Sequence, residues 1–377
     1  KEYNKVDYKQ AIQYFNLSAR YPLNDRISYI NSFWLADCYY QLDDFENARV
    51  LYLDLNESNS SGLLFYKELK EYNIGYIYFK QGDYKTANMY FRRYEKIAVD
   101  SMRLQDTYLR IADCFFMINE YSLSENYYAK AISSDLFDTD YAIYKRSQAL
   151  GLVGKNSSKV NLLKLLITDF LTSTYYDNAL YDLASYYKNS SKEDLALKYY
   201  DKLLLETQEE KLIADAHLSK GMIYFKINNV EQAITEFMFV VDSFPKTRYF
   251  KEALAGLQIA YTSLAKVDEY LNIINGLPQV SISQAEQDSL IYNAAFMKFS
   301  EADYKVAAAT FAQYLDRFES GVFLADAIYY NAISLVEIGD TASAILMFEK
   351  LIDASKSSYQ QSALSFLARK HYFDNDF

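Results

Sequence analysis

The sequence predicts an all-α solenoid built from helical hairpins, and three observations carry that prediction. Only three prolines and ten glycines occur in 377 residues, which leaves little turn chemistry for an all-β fold. Apolar residues make up 51% of the chain, and the same apolar pattern returns mostly every 37 residues. Because a single hydrophobic core stops growing at about 250–300 residues, a chain of this length favours repeats that each pack on their neighbours.

A register position in the first helix of each hairpin, usually a small residue, sets the repeat. The register positions are Ala36, Gly75, Ala112, Ser147, Ala184, Gly221, Gln258, Ala295 and Ala332. In the second helices, a small residue is followed four positions later by an aromatic one. These pairs are Ala11/Phe15, Ala48/Tyr52, Ala87/Phe91, Ser124/Tyr128, Ala196/Tyr200, Ala233/Phe237, Ala307/Phe311 and Ala344/Phe348. The two series predict one solenoid domain over residues 1–377, with nine complete hairpins and a lone helix at each end.

One repeat carries the signature of a known family. Gly221 and Tyr224 lie three residues apart, Ala233 and Phe237 lie four apart, and Pro245 closes the unit. This G-x₂-Y…A-x₃-F…P pattern resembles the tetratricopeptide repeat (TPR). The resemblance implies a right-handed superhelical solenoid whose first helices line a concave groove. The family repeat has 34 residues, so we expect the excess in helix ends or in the connections between hairpins.

The turns inside the hairpins agree with this organisation. They are Asp43-Asp44-Phe45, Gly82-Asp83-Tyr84, Asn119-Glu120-Tyr121, Ala302-Asp303-Tyr304 and Gly339-Asp340-Thr341. Glycine, asparagine and aspartate stop one helix and cap the next, and an aromatic residue usually begins the second helix.

Two hairpins and both ends of the chain depart from the pattern. Near residues 147–170 the turn is long and polar, and Lys159 replaces the small residue of the second helix. Near residues 258–280 the second helix carries Tyr270 in that position and stops early at Gly276–Pro278. The two irregular hairpins indicate either ordinary repeat degeneracy, or a change in superhelical curvature or a hinge. Solenoid ends need polar caps, and the terminal helices are apolar, so we expect a fragment of a longer chain.

The sequence offers little chemistry. Its two histidines, His217 and His371, have no Cys or second His at metal-ligand spacing. Cys38 and Cys114 occupy equivalent places two repeats apart, so we predict that both are buried and unpaired. No phosphate-binding loop or nucleophile motif is present, and we expect neither a cofactor nor an enzyme. The net charge of −11 argues against nucleic acid as a partner, and no apolar run reaches the length of a membrane span.

The TPR resemblance places the partner-binding residues on one face of the first helices. The predicted groove set is Tyr72, Tyr76, Phe79, Asp113, Phe116, Tyr144, Tyr181, Asp215, Phe225, Tyr292, Phe296 and Phe299. Aromatic side chains interspersed with aspartates favour a protein or peptide partner that carries basic segments. The alternative is that several of these aromatic side chains are buried between adjacent hairpins.

A short segment bears on localisation. Ser243–Thr247 reads S-F-P-K-T and is similar to the connections in bacterial envelope TPR proteins, such as outer-membrane assembly lipoproteins and periplasmic cell-division coordinators. The resemblance implies a scaffold in an envelope assembly or secretion complex, periplasmic and held at the outer membrane by a lipid anchor upstream of Lys1. A cytoplasmic receptor for a peptide or regulator, and a targeting domain of a larger enzyme, remain alternatives. The oligomeric state stays open.

Overall fold

The fold is helical throughout the part of the chain that the structure describes. The computed structural model describes residues 7–55, 63–353 and 358–373, and these ranges contain 20 α-helices and no strand. Consecutive helices pack on each other as hairpins, which confirms the predicted all-α hairpin fold. None of the described helices combines the length and the apolar character needed to cross a membrane.

The chain divides into two compact units, Lys1–Tyr186 and Tyr187–Phe377. Unit 1 contains α1 (Tyr8–Ser18), α2 (Asp25–Gln41), α3 (Phe45–Asp54), α4 (Leu64–Lys80), α5 (Tyr84–Glu95), α6 (Ser101–Met117), α7 (Tyr121–Ser134), α8 (Thr139–Leu152), α9 (Asn156–Asp169) and most of α10 (Tyr176–Asn189). Unit 2 contains α11 (Glu193–Glu206), α12 (Glu210–Lys226), α13 (Val230–Ser243), α14 (Arg248–Ser263), α15 (Val267–Asn275), α16 (Gln284–Ser300), α17 (Tyr304–Arg317), α18 (Leu324–Glu337), α19 (Thr341–Asp353) and α20 (Gln360–Phe373). Even-numbered helices are the first helices of the repeats.

Close helix crossings explain why small residues recur at the register positions. A Cβ atom built on Gly221 would lie 2.5 Å from Cε1 of Phe237, and one built on Gly256 would lie 2.7 Å from Cζ of the same ring. The Phe237 ring therefore fills the space between its own hairpin and the next, as the sequence predicts. Gly75 repeats the arrangement, since its Cβ would lie 2.8 Å from Cδ1 of Phe91.

The aromatic member of every small–aromatic pair except Ala11/Phe15 lies in the core, whereas Phe15 on α1 is half-buried. The fully buried examples are Tyr52, Phe91, Tyr128, Tyr200, Phe311 and Phe348. Cys38 and Cys114 are also buried and unpaired, which confirms the prediction for both. Burial raises the pKa of each thiol, so both remain protonated and unreactive at neutral pH.

A residue with left-handed backbone conformation ends the first helix of every hairpin in the described ranges. These residues are Asp43, Gly82, Asn119, Gly154, Ser191, Asn228, Ala265, Ala302 and Gly339. The residue that follows is the N-cap position of the second helix, and Asp44, Asp83 and Asp303 cap it through their side chains. Ser191 and Ala265 adopt the same backbone conformation, although their turns are not among those that the sequence pattern identifies.

The two irregular repeats still form hairpins. In the α8–α9 hairpin, Gly151 compensates for Lys159, because a Cβ on Gly151 would lie 3.0 Å from Cδ of that lysine. The helix α15 has nine residues and ends at the C-cap Gly276, which confirms the predicted early stop.

Two equivalent turns predict opposite effects of exchanging alanine and glycine. Gly82 has φ 79° and Ala302 has φ 60°, and an L-residue with a Cβ is disfavoured there by about 1 kcal/mol. Nothing lies within 4 Å of a Cβ built on Gly82, so Gly82→Ala tests the backbone alone. We expect Gly82→Ala to lower the free energy of unfolding by about 1 kcal/mol and Ala302→Gly to leave it unchanged or raise it slightly, since glycine also gains freedom in the unfolded chain. Urea unfolding measures both, and a stabilising Gly82→Ala would contradict the assignment.

Candidate protein-binding faces of the first helices

The predicted groove set lies on the first helices, but most of its side chains are partly or fully buried. Phe296 is exposed, Asp113, Tyr144 and Tyr292 are buried, and the other eight are half-buried. The alternative of burial between neighbouring hairpins therefore applies to Tyr144 and Tyr292. The two units present different chemistry and are described separately.

In unit 1, Asp106 joins two tyrosines of the preceding repeat. The Tyr72 hydroxyl donates to Oδ2 of Asp106 at 2.7 Å, and the Tyr76 hydroxyl donates to the same oxygen. Arg110, one turn further along α6, donates from Nε to Oδ1 of Asp106 at 3.3 Å. The two rings pack edge to face with centroids 5.0 Å apart. The contacts fix both tyrosines on the face of α4.

Asp113 is the second centre of the same network. Its Oδ2 accepts from Nη1 of Arg110 at 2.7 Å, and its Oδ1 accepts from the hydroxyls of Tyr128 and Tyr141 at 2.6 Å each. Only 7% of Asp113 is exposed. The sequence predicts that Asp113 is a groove residue facing a partner with basic segments, and its burial does not fit that role. The Asp113 carboxylate instead ties α6 to α7 and α8.

The network keeps its phenols neutral. Burial raises the pKa values of Tyr72, Tyr76, Tyr128 and Tyr141 above the ordinary range, and the adjacent Asp106 or Asp113 carboxylate raises them further. Each phenol therefore remains a hydrogen-bond donor well beyond neutral pH.

Two cations that the sequence analysis did not single out lie beside the predicted aromatic residues. The Arg110 guanidinium lies 5.7 Å from the ring centroid of Phe79, and Nζ of Lys145 lies 5.6 Å from that of Phe116. The spacing of Asp106, Arg110 and Asp113, four and then three residues, is the sequence signal for the first of them. The remaining unit 1 residues lie near α10: Tyr144 stacks on Tyr175 at 5.2 Å, and Tyr181 is half-buried.

In unit 2, the predicted aspartate also has cationic neighbours. Asp215 is half-buried and interacts electrostatically with Lys188, whose pKa is nevertheless lowered by burial, and weakly with Arg248. Phe225 packs against the hydrophobic core. Asp113 is thus compensated by a direct ion pair with Arg110, whereas Asp215 has only more distant cationic neighbours.

The aromatic members of the groove set in α16 pack on α18 and on the segment before it. Tyr292 stacks on Phe323 at 4.4 Å, and Phe296 and Phe299 contact Tyr330 at 5.0 and 4.9 Å. Tyr330 was not predicted as a site residue. It supports the side of Phe296 that does not face solvent.

Three apolar side chains are exposed at equivalent positions of successive first helices in unit 2. Met222 is 47% exposed, Ile259 is 53% exposed and Phe296 is 36% exposed. Each follows its register position by one residue, and the three lie on α12, α14 and α16, which pack side by side. We call these three residues the apolar ladder. Ile259 was missed in the sequence, although the 37-residue step from Met222 points to it.

No group of His, Cys, Asp and Glu side chains in the described ranges is arranged to hold a metal ion. His217 belongs to a charged cluster instead: its Nδ1 lies 2.6 Å from Oε2 of Glu236. Lys220 donates to the other oxygen of Glu236 and to Asp201, and the His217 ring stacks on Phe239 at 3.9 Å.

The matched repeat and the hairpin fold define the class as a helical-hairpin repeat protein. Residues 72–98, from the middle of α4 to just after α5, match the family model for a tetratricopeptide repeat. No curated protein matches the sequence.

Solved structures share parts of the arrangement at low identity. A tetratricopeptide repeat protein from Parabacteroides merdae is 14% identical, with 73% of this chain and 100% of that chain covered and a TM-score of 0.44. The C-terminal part of a TPR repeat-containing protein from Cytophaga hutchinsonii is 16% identical over 77% and 98% of the two chains, with a TM-score of 0.41. The apo form of the quorum sensor NprR from B. thuringiensis is 14% identical over 92% and 96%, with a TM-score of 0.43.

Proposed function

We propose that the protein is a non-catalytic scaffold that binds a protein or peptide partner on its first-helix faces, with the apolar ladder of unit 2 as the main anchor. The ladder is the observation that carries the proposal. Met222, Ile259 and Phe296 repeat at one register on adjacent helices, so together they offer a row of apolar contacts. Helices pack about 8–10 Å apart, a spacing that suits the apolar side of an amphipathic helix or an extended segment.

The expected chemistry of the partner follows from the charges around these faces. A basic partner was expected because of Asp113 and Asp215, but Arg110 neutralises the first, and Lys188 and Arg248 lie near the second. We therefore propose a partner anchored by apolar side chains rather than by lysine or arginine. In unit 1, the half-buried rings of Phe79 and Phe116 beside Arg110 and Lys145 offer a more polar, secondary contact surface.

A photo-crosslinking experiment tests the ladder. A photoreactive phenylalanine analogue at position 259 should capture the partner in cells, and the purified partner is then titrated against variants. Truncating a central apolar anchor typically costs about 2 kcal/mol or more in binding, so Met222→Ser/Ile259→Ser/Phe296→Ser should abolish measurable affinity.

The matched control removes exposed leucines from second helices of the same unit. Leu195, Leu205 and Leu346 are exposed, and their triple serine variant should bind like the wild type. Both variants must keep helical circular dichroism. Full affinity in the ladder variant, or an equal loss in the control, would refute the proposal.

The envelope placement is a separate part of the proposal. We propose that the chain lies in the periplasm, anchored at the outer membrane, within an assembly or secretion complex, and the resemblance of Ser243–Thr247 to connections in envelope TPR proteins supports this proposal. Cell fractionation of the natural full-length protein tests it. Recovery in the cytoplasmic fraction would favour the cytoplasmic receptor instead.

A further inference from the structure

The helix α5 carries a row of basic side chains on its solvent-facing side. Lys85, Arg92 and Lys96 are exposed, and Met89 is exposed between them. Residues at these spacings share one helix face, and the row extends for about 16 Å at 1.5 Å per residue. The four side chains line one shallow surface depression. We call them the α5 basic stripe.

The cations of the stripe are only weakly compensated by their surroundings, through an electrostatic interaction between Lys85 and Asp83. Among the described residues, none of its three cations has an ion-pair partner within 4 Å. The nearby acids are engaged elsewhere: Glu95 accepts from Lys130 and Tyr127, Glu71 faces Arg93, and Asp83 caps α5 at the backbone of Thr86.

The stripe also reverses the charge pattern of the repeat. No other second helix has cations at all three equivalent positions, and several have acids there. The acidic equivalents in the described ranges are Glu46, Asp194, Glu231 and Asp268 for Lys85, Asp201 and Glu349 for Arg92, and Asp242, Asp316 and Asp353 for Lys96. The hairpin fold therefore does not require cations at these positions.

Helix electrostatics explains only part of the stripe. Cations in a last helical turn complement the helix dipole, which accounts for Arg92 and Lys96. Lys85 lies in the first turn of α5, where the same dipole disfavours a cation. The arrangement of the row along the whole helix thus points to a ligand rather than to helix stability.

We propose that the α5 basic stripe binds an acidic segment of a protein partner, whose carboxylates pair with Lys85, Arg92 and Lys96 while an apolar side chain contacts Met89. A methionine adapts readily to different apolar surfaces. The net charge of −11 repels an extended polyanion or an anionic membrane. A short acidic segment bound at the stripe interacts mainly with the stripe, because salt screens its repulsion from the more distant acidic residues.

The test uses a synthetic helical peptide of about 16 residues, with glutamates spaced to face the three cations and a leucine to face Met89. Fluorescence anisotropy should show binding at about 0.05 M salt that weakens at about 0.3 M salt. The same peptide with glutamine for glutamate should not bind. In Lys85→Glu/Arg92→Glu/Lys96→Glu we expect affinity to fall at least about tenfold.

The matched control has the same net charge. Lys198, Lys246 and Lys251 are exposed in unit 2, and their triple glutamate variant should keep the wild-type affinity. Equal losses in the two variants, or full binding by the α5 variant, would overturn the proposal. Two further results would also overturn the proposal. These are binding of the wild type to phosphatidylserine vesicles, or self-association of the wild type in sedimentation, if either depends on the stripe and is not displaced by the acidic peptide. Because the ladder variant of unit 2 keeps the stripe, it should bind the peptide normally.

Discussion

Asp113→Asn should lower the free energy of unfolding of unit 1 by about 3 kcal/mol, since removing one partner of a buried charged network leaves the others unsatisfied. The carboxylate accepts from Arg110, Tyr128 and Tyr141 within 2.7 Å. An asparagine keeps the shape but turns an NH₂ group towards donors. Urea unfolding gives the free energy, and hydrogen exchange should show lost protection in α6, α7 and α8.

Asp37 supplies the matched control. It occupies in α2 the position that Asp113 occupies in α6, one residue after the register position. Burial raises the pKa of Asp37, despite hydrogen bonds from Gln41 and Tyr52. An acid whose pKa is raised by folding opposes folding when it is ionised at neutral pH. Asp37→Asn should therefore leave stability unchanged or raise it slightly. Equal losses at the two sites would mean that the Asp113 network adds nothing specific.

The contrast between these two aspartates shows where prediction from sequence stops. The hairpins and their crossings follow from local spacing, because a glycine such as Gly221 and an aromatic such as Phe237 interact between elements adjacent in the chain. The turns follow from single residues such as Asn228 with φ 61°. These features need no knowledge of the next repeat.

Whether a first-helix side chain faces a partner or its neighbours depends on the next repeat. The register placed Asp113 and Tyr144 correctly on the first helices, but Asp113 is buried because Tyr141 in the next first helix reaches it. Tyr144 is buried against Tyr175. Conversely, Ile259 is exposed although nothing local marks it as different from a core isoleucine. The burial of Asp113 and Tyr144 depends on contacts about 30 residues apart in the sequence, which periodicity alone does not resolve.

Unit 1 should unfold steeply in alkali, and the tyrosine network is the reason. The pKa values of Tyr72, Tyr76, Tyr128 and Tyr141 are raised in the folded state, whereas an unfolded tyrosine has a pKa of about 10. The stabilisation is therefore fully present below about pH 10 and is lost as the pH rises towards the folded pKa values. Each tyrosine contributes up to about 1.4 kcal/mol per pH unit, so four can contribute up to about 5.6 kcal/mol per pH unit.

Urea unfolding between about pH 8 and pH 11 measures how steeply the free energy of unfolding falls with pH. Comparing the wild type with variants that lack tyrosines separates the tyrosine contribution from that of lysine titration. Tyr76→Phe/Tyr141→Phe should lose about 1–2 kcal/mol at pH 8 from missing hydrogen bonds. Above about pH 10, the tyrosine contribution to the slope of stability against pH should be about half of that in the wild type. Two of the four ionisable phenols remain beside Asp106 and Asp113. Tyr21, which is 81% exposed, provides the control, and Tyr21→Phe should keep the wild-type slope. Phenolates placed beside two carboxylates raise the free energy of the folded state, so removing two of these phenols should change the slope. If Tyr76→Phe/Tyr141→Phe has the same slope as the wild type, the buried phenols do not govern alkaline stability.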